Sequence, residues 1–227
     1  MDLGAVRDRI SRAAERSGRT PADITIVAVT KSHPIERVRE AVAAGLLDIG
    51  ENRVLEAVAK QDQWPDAPEG VRWHMIGHLQ RNKAKHAVGR FALIHSLDSI
   101  RLADALEQAA AAKNIVQPVL VEVSVAGEAQ KSGAPIAEAE AIVRHAGGLP
   151  HLTVEGLMTM APLTDDATVL RHTFRGLREL REHLTTAHCP LPTLSMGMSN
   201  DFEIAIEEGA TMVRLGTVLF GERGNHT

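Results

Sequence analysis

The chain contains no tyrosine, so no mechanism that needs a phenol as acid or base can run within a single copy of it. Cysteine is almost absent, since Cys189 stands alone beside Pro190. No disulfide framework can form inside the chain, and a reducing compartment fits. The opening residues, MDLGAVRDRI, lack the apolar core of a signal peptide. No uninterrupted apolar run approaches the length of a membrane span. A cytoplasmic domain with no membrane partner is expected. Basic runs and stripes are missing too. The 25 Lys+Arg against 29 Asp+Glu give a net charge of −4, so nucleic acid is not an expected partner.

What is present is a regular alternation. The 227 residues are 44% hydrophobic, enough for one sizeable core. Residues 1–227 read as a single domain, with no internal linker and no low-complexity segment. Residues 3–18 carry Leu3, Val6, Ile10 and Ala13 or Ala14 at helical spacing, with Gly18 as the stop. Strands are expected at 24–31, 47–52, 72–77, 91–97, 118–125, 154–160, 193–198 and 212–220, with helical stretches between them. Asn200 and Glu203 have capping-box spacing at the start of the helix near 202–207. Strands that alternate with helices are parallel, because a parallel pair needs a crossover. Eight such units imply a closed (β/α)8 TIM barrel rather than an open sheet. An open dinucleotide-binding sheet would place a Gly-rich turn after its first strand. Here that turn is Lys31-Ser32-His33-Pro34. Few residues follow the last strand, so helix 3–18 is expected to pack where an eighth helix would lie.

Six of the eight residues in Ile24–Lys31, ITIVAVTK, are β-branched, which suits a packed strand. With a period of two, Thr25, Val27, Val29 and Lys31 share one face. Lys31 thus continues an apolar, inward row where the strand runs out. A desolvated lysine loses its proton readily and attacks carbonyls, the chemistry of Schiff bases. The plainer reading is a lysine that reaches solvent from a strand end. This stretch alone leaves both open.

In such a barrel the site lies at the C-terminal strand ends, and phosphate commonly binds near the last two of them. Those ends carry Lys31, Glu51-Asn52, His74 to His78, Met158 to Met160, Ser199-Asn200 and Arg214 to Thr217. Ser199 and Asn200 open a helix whose free N–H groups suit an anion. Gly216 allows close backbone approach, and Thr217 adds an N–H and a hydroxyl. A capped helix and a packing glycine would explain the same residues, and Asp201 and Glu203 put negative charge in that turn. Arg214 shares its strand face with Met212 and Gly216 and should point into the barrel mouth. Once buried it must meet something, either a carboxylate such as Glu51 or Glu155 or a ligand atom. Met158, Met160, Met196 and Met198 read as packing. His74 and His78 straddle a strand and a loop with no third ligand nearby, so zinc is not expected. Lys131-Ser132-Gly133 is either a solvated loop or brings a second lysine near the site.

These residues fall in motifs that resemble the pyridoxal phosphate homeostasis protein family, also called the proline synthase co-transcribed homologue family. They are AVTK at 28–31, GENRVLEA at 50–57, WHMIGHLQRNK at 73–83, HSLD at 95–98, KSG at 131–133, GLMTMAP at 156–162, SMGMSND at 195–201 and VRLGTVLFG at 213–221. The order and length of the motifs make the likeness specific. HSLD departs at Leu97, where valine is expected, and no cofactor position departs.

The resemblance implies a barrel like the N-terminal barrel of alanine racemase, without that enzyme's second domain. It implies pyridoxal 5′-phosphate held as a Schiff base on Lys31. By the same likeness Ser199, Gly216 and Thr217 bind the phosphate, Arg214 faces the pyridine nitrogen, and Asn52 lies beside the ring. Family members are regarded as regulators of vitamin B6 and amino-acid balance, with no established catalytic reaction. A monomer is expected, with cofactor-requiring apo-enzymes as candidate recipients.

Carbanion-forming enzymes usually want a protonated ring nitrogen, whereas arginine is donor-only and always charged. Alanine racemase shares that arginine but uses a lysine and a tyrosine as opposed bases, and this chain has no tyrosine. The expectation is a carrier without catalysis. The alternative is a racemase-like amino-acid enzyme, and a third reading is a cofactor-free aldolase acting through Lys31.

Overall fold

The computed structural model describes residues 2–127 and 132–221. Its strands are β1 (Thr25–Val29), β2 (Asp48–Glu51), β3 (Arg72–Met75), β4 (Leu93–Leu97), β5 (Gln117–Ser124), β6 (Ala134–Pro135), β7 (Leu152–Met158), β8 (Thr193–Ser195) and β9 (Met212–Leu215). The order β4-β3-β2-β1-β9-β8-β7-β5 closes through a β4–β5 pairing. Eight parallel strands therefore form a barrel, as the alternation predicts. The two residues of β6 only pair alongside the end of β5.

Between and around the strands lie α1 (Leu3–Arg16), α2 (Ile35–Ala43), α3 (Val54–Asp62), α4 (Ala84–Ala87), α5 (Ile100–Lys113), α6 (Ile136–Gly147), α7 (Ala167–Leu184), α8 (Phe202–Glu207) and α9 (Thr217–Phe220). The strand period of two divides the apolar residues into two shells. Ala28, Ile49, Ile94, Leu157, Leu194 and Val213 face the helices. Val27, Leu93, Leu120, Met158 and Met212 face one another inside the barrel. Each such large side chain contributes about 1.5–3 kcal/mol by leaving water. Among the described residues, no helix is long and apolar enough to cross a membrane.

Helix α1 buries Val6, Ile10, Ala13 and Ala14 and packs against α8. Arg9 donates to Glu203 at 2.8 Å and lies over the Phe202 ring, while Arg16 donates to Glu207 at 2.6 Å. The helix is thus fixed to the barrel wall, where the sequence puts it.

Several element ends differ from expectation, and three local features bear on the site. The last strand ends at Leu215, not Phe220, because the N–H groups of Leu219 and Phe220 turn back to the Gly216 carbonyl at 2.9 Å each and wind α9. The first strand ends at Val29, so Lys31 sits in the following turn, and Ser32 takes a left-handed φ of 63° there. The Asn200–Glu203 capping box does not form. Asp201 holds the N-cap position of α8, and its carboxylate accepts from the Met198 N–H.

Candidate cofactor site

The C-terminal strand ends open on a cavity of about 240 Å³. Lys31, Asn52, Ser199, Arg214, Gly216 and Thr217 all line it, together with Ile76, Met160 and Met198. Larger cavities lie elsewhere. One of about 580 Å³ sits beside α1 at the opposite pole, and one of about 530 Å³ lies along α3. Neither includes Lys31 or Arg214. Of the four methionines read as packing, Met158 and Met196 are core residues, but Met160 and Met198 line the cavity.

The turn that carries Lys31 is fastened from below. Gly50 packs inward against Val27 and Ile76, so the alternation sends the Glu51 side chain outward. There its Oε1 accepts from the Thr30 hydroxyl and from Lys60 Nζ, each at 2.6 Å. Lys60 Nζ also donates to the Thr30 carbonyl at 2.9 Å. Burial pushes the Glu51 carboxyl up, and the bonds from Lys60 and Thr30 pull the other way. The Ser32 N–H donates to Glu56 at 2.9 Å. The turns after β1 and β2, which present Lys31 and Asn52, are thereby tied together.

The β1–β9 register sets Arg214 beside Val27, inside the barrel and 4% exposed. It donates to Ser195 Oγ at 2.7 Å and to the Thr159 carbonyl at 2.9 Å. Its protein partners are thus not Glu51 or Glu155, the carboxylates that the sequence offered as one alternative to a ligand atom. Glu51 lies on the wrong face, committed to Lys60. Burial pushes the Arg214 guanidinium down to about 10, against the pull of Glu122 and Asp201, so it remains charged at neutral pH. Both of those acids are buried and raised by burial. Glu122 accepts from the Ser132 hydroxyl at 2.6 Å, and its other oxygen has no partner among the described residues.

At the last strand ends, Ser199 Oγ accepts N–H groups from Gly216 at 3.3 Å and Val218 at 3.2 Å. Two backbone donors therefore converge on one oxygen. A Cβ at Gly216 would meet Val29 no closer than 3.5 Å, so no clash with the protein demands glycine, and its absence of a side chain leaves room in the mouth. Across the cavity, Asn52 Oδ1 is buried without a partner among the described residues, and an orphaned buried polar atom calls for a ligand or solvent atom. Convergent N–H donors for an anion, a charged donor and an unmet polar atom around one cavity fit a phosphorylated aromatic cofactor. Lys131 lies outside the described residues.

The residues behind Arg214 escaped the sequence reading. His74 does not approach His78, which faces Asp98 at 3.4 Å. His74 instead points inward to Asp48 at 2.8 Å and to His95 at 3.0 Å. Among the described residues, no group of three or more potential ligands could hold a metal. The available signal was the alternation Arg72, His74, Ile76, which puts His74 on the inner face.

Comparison with known proteins gives a consistent picture. The family model of the alanine racemase N-terminal domain matches residues 1–224. A protein of Aquifex aeolicus (strain VF5) named pyridoxal phosphate homeostasis protein is 46% identical over 97% of this chain and 96% of its own. A solved structure of PipY from Synechococcus elongatus PCC7942, with PLP bound, is 37% identical. Its TM-score is 0.81, over 92% of this chain and all of that one. An alanine racemase of Clostridium difficile 630, 15% identical with a TM-score of 0.75, covers 96% of this chain and 56% of its own, a likeness of fold alone. The chain belongs to the pyridoxal phosphate homeostasis protein family, built on the alanine racemase N-terminal domain.

Proposed function

We propose that this chain holds pyridoxal 5′-phosphate as a Schiff base on Lys31 and takes part in the homeostasis of that cofactor and of amino acids. The observation that carries the reading is the convergence of Lys31, Asn52, Ser199, Arg214, Gly216 and Thr217 on one cavity. The PLP-bound relative supports it. When bound, the cofactor supplies an electrophilic aldehyde and an electron-withdrawing ring. Lys31 tethers it, and Ser199, Gly216 and Thr217 hold its phosphate with N–H and hydroxyl donors. Arg214 donates to the ring nitrogen and keeps a proton off it. Asn52 flanks the ring.

The same reading makes the protein a carrier. No tyrosine is available to act as a second base, so one face of the cofactor stays open to solution amines and to apo-enzymes that need it. The chain acts as a cytoplasmic monomer of one domain, a reading that the single cysteine fits and that sedimentation checks. Purified protein is expected to be yellow, with the colour absent in Lys31→Ala. Colourless protein that takes up no cofactor would sink the proposal. Solvent deuterium should enter the Cα of amino acids no faster than with free cofactor. Incorporation at enzyme-like rates would favour a racemase-like enzyme instead.

A further inference from the structure

A row of polar side chains runs through the barrel from the cofactor mouth to the opposite pole. Arg214 donates to Ser195 Oγ at 2.7 Å. Ser195 Oγ is 3.0 Å from His95 Nδ1, and His95 Nε2 is 3.0 Å from His74 Nδ1. His74 Nε2 is 2.8 Å from Asp48 Oδ1, and Arg72 grips both oxygens of Asp48 at 2.7 and 2.6 Å. Ser195, His95 and His74 are buried, and Arg72 reaches the surface.

The two ends fix the direction of the row. An arginine only donates and an ionised aspartate only accepts. Ser195 Oγ therefore accepts from Arg214 and has one proton to give, which His95 Nδ1 can take. His95 then carries its proton on Nε2 and donates to His74 Nδ1, and His74 donates from Nε2 to Asp48. Every donor has one acceptor. The reverse direction needs a doubly protonated His74 to satisfy both Asp48 and His95, adds a second buried cation to Arg214, and leaves the Ser195 proton without an acceptor among these groups. A buried hydroxyl left unmet is costly.

We propose that Ser195, His95, His74 and Asp48 form one directed hydrogen-bond chain, both histidines neutral and protonated on Nε2, that positions Arg214 for the cofactor ring. The chain's use, though not its existence, rests on the function proposed above. None of Ser195, His95, His74 or Asp48 lines the cavity, so they are positioning residues rather than cofactor ligands. Burial, with the charge of Arg214 beside it, holds His95 well below the usual histidine range. The other charged groups facing the row are Glu155, which lies near His74, and Glu122, which faces Arg214.

Nitrogen NMR of histidine-labelled, cofactor-free protein reads the two tautomers directly. Protonated Nε2 and bare Nδ1 are expected in both His74 and His95. A protonated Nδ1 on either ring would overturn the proposal. In Ser195→Ala, His95 should lose its single tautomer. With pyridoxal phosphate added, the absorption band should shift and affinity fall about tenfold, and Ser195→Thr, which keeps the hydroxyl, should restore both. A Ser195→Ala protein with the wild-type His95 signal and an unmoved band would also overturn it. If wild-type protein took up no cofactor, the carrier reading would fail while the tautomer result still decided the chain.

Discussion

Lys60 Nζ stands 2.6 Å from Glu51 Oε1, and both are buried beneath the turn that carries Lys31. Neither residue faces the cavity. Together with the Thr30 carbonyl and hydroxyl they fix where the first strand ends, and so where Lys31 begins. A buried pair of this kind is worth little beyond an apolar pair of equal volume, but breaking one half leaves an uncompensated charge.

Lys60→Met should therefore destabilise the protein by about 3–5 kcal/mol. At about 2–4 °C per kcal/mol for a chain of this size, thermal unfolding should fall by roughly 6–20 °C. The double variant Lys60→Met/Glu51→Leu should recover most of the loss. Calorimetry of the three proteins checks this. A single variant as stable as wild type would show that Glu51 finds another partner.

At the opposite pole, burial alone would raise the Asp48 carboxyl, but hydrogen bonds from His74 and Arg72 outweigh it and hold it at about 2. The folded value lies below the unfolded one, so its contribution is present above about pH 4 and lost as pH falls toward about 2. At 1.36 kcal/mol per unit this is about 2 kcal/mol. Urea unfolding across that window should show a shallower loss in Asp48→Asn than in wild type. Equal slopes would remove Asp48 from the acid response.

Ser199→Ala takes away a hydroxyl at the position where the Gly216 and Val218 N–H groups converge. One neutral hydrogen bond is worth about 1 kcal/mol, so cofactor affinity should drop about fivefold. The drop should be nearly absent for pyridoxal, which lacks the phosphate. Equal losses for both ligands would place Ser199 away from the phosphate.

Arg214→Gln keeps a donor but removes the charge. A hydrogen bond from a charged group contributes about 1.5–3 kcal/mol, so affinity should fall roughly 10- to 100-fold. The cofactor band should move toward that of a ring whose nitrogen can take up a proton. An unchanged spectrum would argue against contact between Arg214 and the ring nitrogen.

The barrel and the positions of Lys31, Asn52 and Arg214 were legible because strand alternation and strand ends are local properties of sequence. The partners of Arg214 were not. Ser195, His95 and His74 come from separate strands and Thr159 directly follows another, so they meet only through barrel closure, and the β4–β5 and β5–β7 pairings each shift register. A buried arginine suggested a carboxylate or a ligand atom, and among protein groups a hydroxyl and a carbonyl meet it. Glu51 could have been placed correctly, since Gly50 and Asn52 face inward and period two sends it outward to Lys60. The end of β9 was hidden because VRLGTVLF has strand-like composition, while the return of N–H groups to the Gly216 carbonyl makes its second half helical.

The most direct test is where the cofactor attaches. Wild-type protein loaded with pyridoxal phosphate is reduced with borohydride, digested and mapped by mass spectrometry. The reduced cofactor should be found on Lys31, and Lys31→Ala should carry none. Label on Lys60, Lys131 or another lysine in wild type, or no label at all, would contradict the assignment of Lys31 as the tether.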